Sequence, residues 1–161
     1  MKKIGLLLLA FSFLIACGTK KATSSKTTAT TKTTSIKKAK SKNYKQTLRN
    51  ASMFVVKEIA TDETYGLSPE NAVEVGGARD GEGPSNERRY LNALLGPNGE
   101  EITYYRAGSC CPTKSENGMF GDHVVLDNYR VTWQGAKDTV SIYINMYDSS
   151  KLKAPKGFTL R

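Results

Sequence analysis

Apolar and polar positions alternate most regularly near the end of the chain. In residues 140–147, Val140, Ile142, Ile144 and Met146 share one side, while Ser141, Tyr143, Asn145 and Tyr147 share the other. Period-two alternation predicts a strand with one buried face and one partly exposed aromatic face. Residues 124–133 and 102–105 are rich in β-branched and aromatic side chains and predict two more strands. Asn98-Gly99 and residues 135–138 supply the turns between and before them. Further upstream, residues 53–59 read as a first strand and residues 72–75 as a short second one. Four glycines and a proline make residues 76–84 a loop. The pattern then changes period. Ser85 offers an N-cap, Glu87 falls near the positive end of the helix dipole, and Leu91, Leu94 and Leu95 follow at helical spacing before Gly96-Pro97. One helix over about 86–95 is expected, its leucines packed on a sheet. The fold class is α+β: a small antiparallel sheet, with a meander of about three strands plus one or two N-terminal strands, covered by one helix.

The first 49 residues follow neither period. Lys2 and Lys3 precede an apolar run over residues 4–15, broken only by Gly5 and Ser12, and small Ala16 stands directly before Cys17. The run is about half a bilayer span long, so it reads as a secretory signal rather than a permanent transmembrane helix. The stretch Leu14-Ile15-Ala16-Cys17 resembles the lipobox of Gram-negative lipoproteins. That resemblance implies loss of a signal peptide at residues 1–16 and acylation (palmitate) of Cys17. The lipid bilayer is then the first expected partner, reached through the acylated Cys17. Residues 17–49 carry the lipidated cysteine and a Lys/Thr/Ser-rich tether, too poor in apolar surface to offset the entropy of ordering. As a flexible coil, the tether spans roughly 30 Å on average. Residues 50–161 suit a single globular domain.

Charge separates these parts. Residues 18–49 hold ten Lys and Arg and no acid. From residue 50 onward twelve Lys and Arg face fifteen Asp and Glu, a net of −3, although the whole chain is +9. A nucleic-acid module carries its positive patch on the fold itself, so nucleic acid is not an expected partner.

Candidate chemistry is thin. Cys110-Cys111-Pro112 lies in an expected loop of an exported chain, where thiols oxidise. Neighbouring cysteines close only a strained ring, and in an extended segment they point to opposite faces. One buried structural cysteine beside one loop cysteine is one reading; a vicinal disulfide between Cys110 and Cys111, eased by a turn at Gly108, Ser109 and Pro112, is another. His123 is the sole histidine. A thiol-dependent enzyme centred on Cys110, Cys111 and His123, with Asp122 or Asp127 orienting the imidazole, is the alternative function. A metal-dependent version uses Cys110, Cys111, His123 and Asp122 but lacks paired C-x-x-C spacing. Gly81-Glu82-Gly83-Pro84 misses the third glycine of a dinucleotide fingerprint and carries acids where phosphate would sit. No catalytic, cofactor-binding or metal-binding residues are assigned, and no cofactor is expected. Asn50-Ala51-Ser52 and Asp138-Thr139-Val140 match glycosylation signals only in their letters.

A spaced set of motifs carries one family resemblance: Tyr65-Gly66, Val75-Gly76-Gly77, Arg89-Tyr90-Leu91-Asn92-Ala93-Leu94, Gly96-Pro97-Asn98-Gly99, Ser109-Cys110-Cys111-Pro112, Leu126-Asp127-Asn128-Tyr129, Tyr143-Ile144-Asn145-Met146-Tyr147 and Ala154-Pro155. The pattern resembles a family of small Gram-negative lipoproteins, many of which carry the automatic label 2-dehydro-3-deoxyphosphooctonate aldolase. It brings no characterised catalytic residues. An aldolase of that name implies a (β/α)₈ barrel of roughly 250 residues, which a chain with one expected helix does not supply. By resemblance to lipoprotein sorting signals, Gly18 followed by Lys20 and Lys21 implies a lipid-anchored, periplasm-facing position at the outer membrane. The expected function is a membrane-anchored periplasmic lipoprotein with a non-enzymatic binding or structural role. Its expected partner is an envelope protein or glycan, met by the aromatic strand face of Tyr104, Tyr129, Trp133, Tyr143 and Tyr147.

Overall fold

The computed structural model describes residues 43–118 and 121–161. The expected signal peptide, Cys17 and the tether as far as residue 42 lie outside the described residues.

The centre of the fold is a four-stranded sheet of order β3-β7-β6-β5. Strands β5 (Ile102–Lys114), β6 (His123–Trp133) and β7 (Val140–Asn145) form an antiparallel meander. Strand β3 (Val73–Glu74) adds to β7 in parallel. The single α-helix among the described residues, α1 (Gly83–Leu91), covers one face. The architecture is α+β. Among the described residues it has neither the eight parallel strands nor the ring of helices that a (β/α)₈ barrel requires.

Cross-strand pairing shows which side chains meet the helix. Tyr129 stands opposite Ile142, Asp127 opposite Ile144 and Val131 opposite Val140, and partners in register share a face. Tyr129, Val131, Ile142 and Ile144 join Tyr90, Leu91 and Leu94 in one core, sealed by Phe54, Leu152 and Phe158. Trp133 packs edge-on against Phe158, with ring centroids 5.5 Å apart. The five aromatics expected on a single exposed face are therefore divided. Tyr129 is core, Tyr104 and Trp133 pack against it, and Tyr143 lies on the opposite side of the sheet.

Several elements depart from their sequence expectation. Of residues 53–59, only Met53–Phe54 pairs as a strand (β2), with β1 (Leu48–Asn50). Asn50 Oδ1 turns that hairpin by accepting from the Ser52 backbone N–H at 2.9 Å and from its hydroxyl at 3.0 Å, an Asx turn at the triplet that matches a glycosylation signal. Paired backbone thus begins before residue 50.

The helix starts three residues earlier and ends four earlier than expected. Glu82, not Ser85, occupies the N-cap position, and Pro84 falls within the first turn, where a missing N–H and fixed φ cost nothing. Leu94–Leu95 leaves the helix to form β4, paired antiparallel with β8 (Thr159–Leu160). A C-terminal strand partner is invisible to local helical spacing. Strand β5 also outruns its expected end at residue 105, passing through Cys110-Cys111-Pro112 with irregularities between Arg106 and Gly108 and between Cys110 and Thr113. As the outer strand of its sheet, it tolerates a proline without losing a ladder bond.

Candidate functional site

Cys110 and Cys111 are joined to each other by a disulfide. Both are half-buried within β5, at the bulge where Cys111 takes φ +57°. A disulfide leaves no thiolate to act as nucleophile or soft metal ligand. His123 lies at the start of β6, opposite Lys114, with Nδ1 2.7 Å from Asp122 Oδ1. Its side chain is 58% exposed. The Asp122 carboxyl is held below its ordinary range by that contact first, then by the imidazole's charge. Asp127, the other candidate partner for His123, is committed elsewhere. Among the described residues no group of three or more His, Cys, Asp and Glu is placed to hold a metal ion.

Helix α1 divides its side chains between two tasks. Glu87 faces the sheet and is fully buried, whereas Asn86 and Arg89 face a groove. A helix starting at residue 86 would make Glu87 a surface acid of the first turn; with the helix beginning at Gly83 it lies in the second turn instead. Its Oε2 accepts the Tyr129 hydroxyl at 2.9 Å, and its Oε1 is buried with no hydrogen-bond partner. A protonated carboxyl resolves that orphan, because the added hydrogen can be donated to Asp127. Burial first, then the negative charge of Asp127, pushes the Glu87 pKa up to about 8. Asp127 is clamped by Arg106 through Nε at 2.6 Å and Nη2 at 2.8 Å and accepts the Ser109 hydroxyl at 2.9 Å. The pair resembles an acid–base dyad in chemistry, yet both carboxyls are buried and neither lines one of the surface depressions described for this fold.

The groove has the opposite character: open, polar and lined from six parts of the chain. It encloses about 450 Å³ between residues 43–48, Phe54 of β2, the Gly76–Asp80 loop, α1, the β5–β6 hairpin tip and the segment after β7. Gly77 permits the close approach of loop and helix. It sits at φ +99°, and a Cβ there would come within 2.4 Å of Asn86 Nδ2, which itself donates to Gly76 O at 3.0 Å. Arg89 Nη1 is bound by Glu82 at 2.6 Å and Asn86 at 2.8 Å.

The far wall is fixed by a buried carboxylate. Asp148 Oδ1 accepts from the Ser115 hydroxyl and from Asn117 Nδ2, each at 2.7 Å, and Oδ2 accepts from Asn145 Nδ2 at 2.7 Å. These bonds hold the hairpin tip, which carries Asn117, against the chain leading to Tyr147. Of the groove residues, only Tyr147 belongs to the aromatic set singled out from sequence. Arg79, Asn86 and Asn117 carry no sequence signal of their own, because they come from loops and from a helix whose start is masked by Ser85. The local signals that do reach the groove are Val75-Gly76-Gly77, Arg89 at the head of its motif and Tyr147 at the end of another.

No family model, curated protein or solved structure matches the chain.

Proposed function

We propose that this chain is a lipid-anchored, periplasm-facing lipoprotein of the outer membrane, and that its α+β domain binds another envelope component without catalysing a reaction. The observation that carries this reading is Cys17, placed after a basic start and a short apolar run. The basic stretch of residues 18–49 then serves as a spacer between the bilayer and the domain, reaching on the order of 100 Å when extended.

A binding role is supported by the groove, whose convergent polar groups and preorganised walls fit ligand capture. Catalysis has less to recommend it, since the two sulfurs are oxidised to each other and the acid pair is buried. The test is the Cys17→Ala variant in cells fed labelled palmitate. The parent should incorporate label, shorten on processing and fractionate with outer membranes; the variant should do none of these. An unlabelled parent chain in the cytosolic fraction would overturn the reading.

A further inference from the structure

We infer that the groove between residues 43–48, the Gly76–Asp80 loop and Tyr147 binds an acidic saccharide, a sugar ring bearing a carboxylate or phosphate. This deepens the proposed binding role and rests on it.

The charge of the groove runs against that of the domain around it. Residues 50–161 are net negative, yet their contribution to the groove is Arg79 and Arg89 against a single acid, Asp80, and Lys45 is added from the basic stretch before residue 50. Arg89 is already neutralised by Glu82. Lys45 and Arg79 have no hydrogen-bond or ion-pair partner among the described residues, so their donors are available to a ligand. A guanidinium presents a planar fork that matches carboxylate and phosphate oxygens.

The remaining groups suit hydroxyls. Gln46 and Asn117 spend their NH₂ groups on Ser149, Ser150 and Asp148, which orients their side chains and leaves the amide oxygens as acceptors. Tyr44 and Tyr147 add flat, amphipathic faces of the kind that sugar C–H groups pack against. Acceptors for hydroxyls, donors for an anion and aromatic faces together describe an acidic sugar.

A peptide fits less well. Strand addition requires unpaired backbone, and the groove's backbone is largely used: Val75 N–H bonds Asn145 O at 2.9 Å, Tyr44 N–H bonds Ser149 O at 3.5 Å, and Gly76 O receives Asn86. The apolar residues of the floor, Phe54 and Val75, are 4% and 1% exposed, so among the lining aliphatics only Leu48, 51% exposed, offers surface to a side-chain anchor.

The test uses the full acylated chain in detergent micelles, titrated calorimetrically with four probes: tetragalacturonate, phosphorylated mannotetraose, neutral galactotetraose and poly-L-glutamate. One or both acidic saccharides should bind at one per chain, at least tenfold more tightly than the neutral sugar and the polypeptide. Arg79→Ala and Tyr147→Ala should each weaken that binding at least tenfold, and a thermal midpoint matching the parent excludes loss of folding as the cause. Arg79 is exposed and unpartnered among the described residues, so its variant keeps the test valid even if Tyr147→Ala unfolds. Neutral sugar binding as tightly as acidic, poly-L-glutamate binding equally well, or no binding to any probe would each overturn the inference. The broader binding role falls separately, if a photo-crosslinker at position 147 in living cells retrieves no envelope material.

Discussion

Glu87 is the residue whose environment most contradicts its ordinary chemistry. In the unfolded chain its carboxyl loses its proton near pH 4.5, whereas burial and the Asp127 charge hold that proton to about pH 8 in the fold. The native state therefore binds the extra proton between those values. The stability this confers is complete below pH 4.5 and drains as pH rises through about 8. Asp127, Arg106 and Tyr129 are the groups facing it; the Arg106 charge and the Tyr129 hydroxyl favour the ionised form, and Asp127 opposes it. Glu87→Gln copies the protonated carboxyl, accepting from Tyr129 and donating to Asp127. At pH 5 the variant should match the parent to within about 1 kcal/mol; at pH 9 it should exceed it by about 1–3 kcal/mol. Glu87→Ala leaves a cavity and a Tyr129 hydroxyl without its acceptor, and should cost about 2–4 kcal/mol at pH 5. Urea unfolding at pH 5, 7 and 9 reads all three proteins. A Gln variant whose profile is as steep as the parent's would show that Glu87 is not the proton carrier.

Among the elements, the strand segment before residue 50 holds more than its composition suggests. Tyr44 and Gln46 bond Ser149 and Ser150, Val55 N–H reaches Thr47 O at 2.8 Å, and Arg49 Nη1 donates to Arg161 O at 2.6 Å. A chain beginning at residue 50 should lose about 1–3 kcal/mol relative to one beginning at residue 43, together with one wall of the groove. Thermal melts of the two forms measure this; equal midpoints would mean that the segment only rests on the surface. The same segment shows where local pattern stops being informative. The meander is legible because β6 and β7 are long, carry alternating patterns and are buried on one face. Residues 43–49 are polar and lysine-bearing like the stretch before them, and only their partners on the far end of the chain distinguish them. Leu94 and Leu95 mislead for a similar reason: their spacing from Leu91 is helical, but Thr159–Leu160 supplies a strand to pair with. The groove is the least legible part, since its residues come from six segments with no shared local pattern. The buried acid Glu87 is visible as a residue but not in its placement, because a shift of three positions in the helix start moves a side chain from the dipole's end to the core.

At the scale of the whole molecule, the long outer strand β5 sets a limit on how the protein meets its own copies. A strand at the rim of a sheet offers unpaired N–H and C=O groups to any similar strand nearby. Here the rim is interrupted twice, between Arg106 and Gly108 and again where Cys110 and Cys111 are tied together before Pro112. The crosslink spans adjacent residues, so it removes little entropy from the unfolded chain. Replacing both cysteines with serine should lower the thermal midpoint by no more than a few degrees, and non-reducing alkylation should label neither sulfur in the parent. The larger effect is expected in association: the doubly substituted chain, studied by sedimentation at high concentration, should form oligomers that the parent does not. On the proposed lipid anchor the protein would be confined to a film, where lateral encounters between neighbours are frequent and share one orientation. A kinked, proline-bearing rim would turn those encounters into collisions without zippering, so a dense carpet of such molecules would stay a population of individuals.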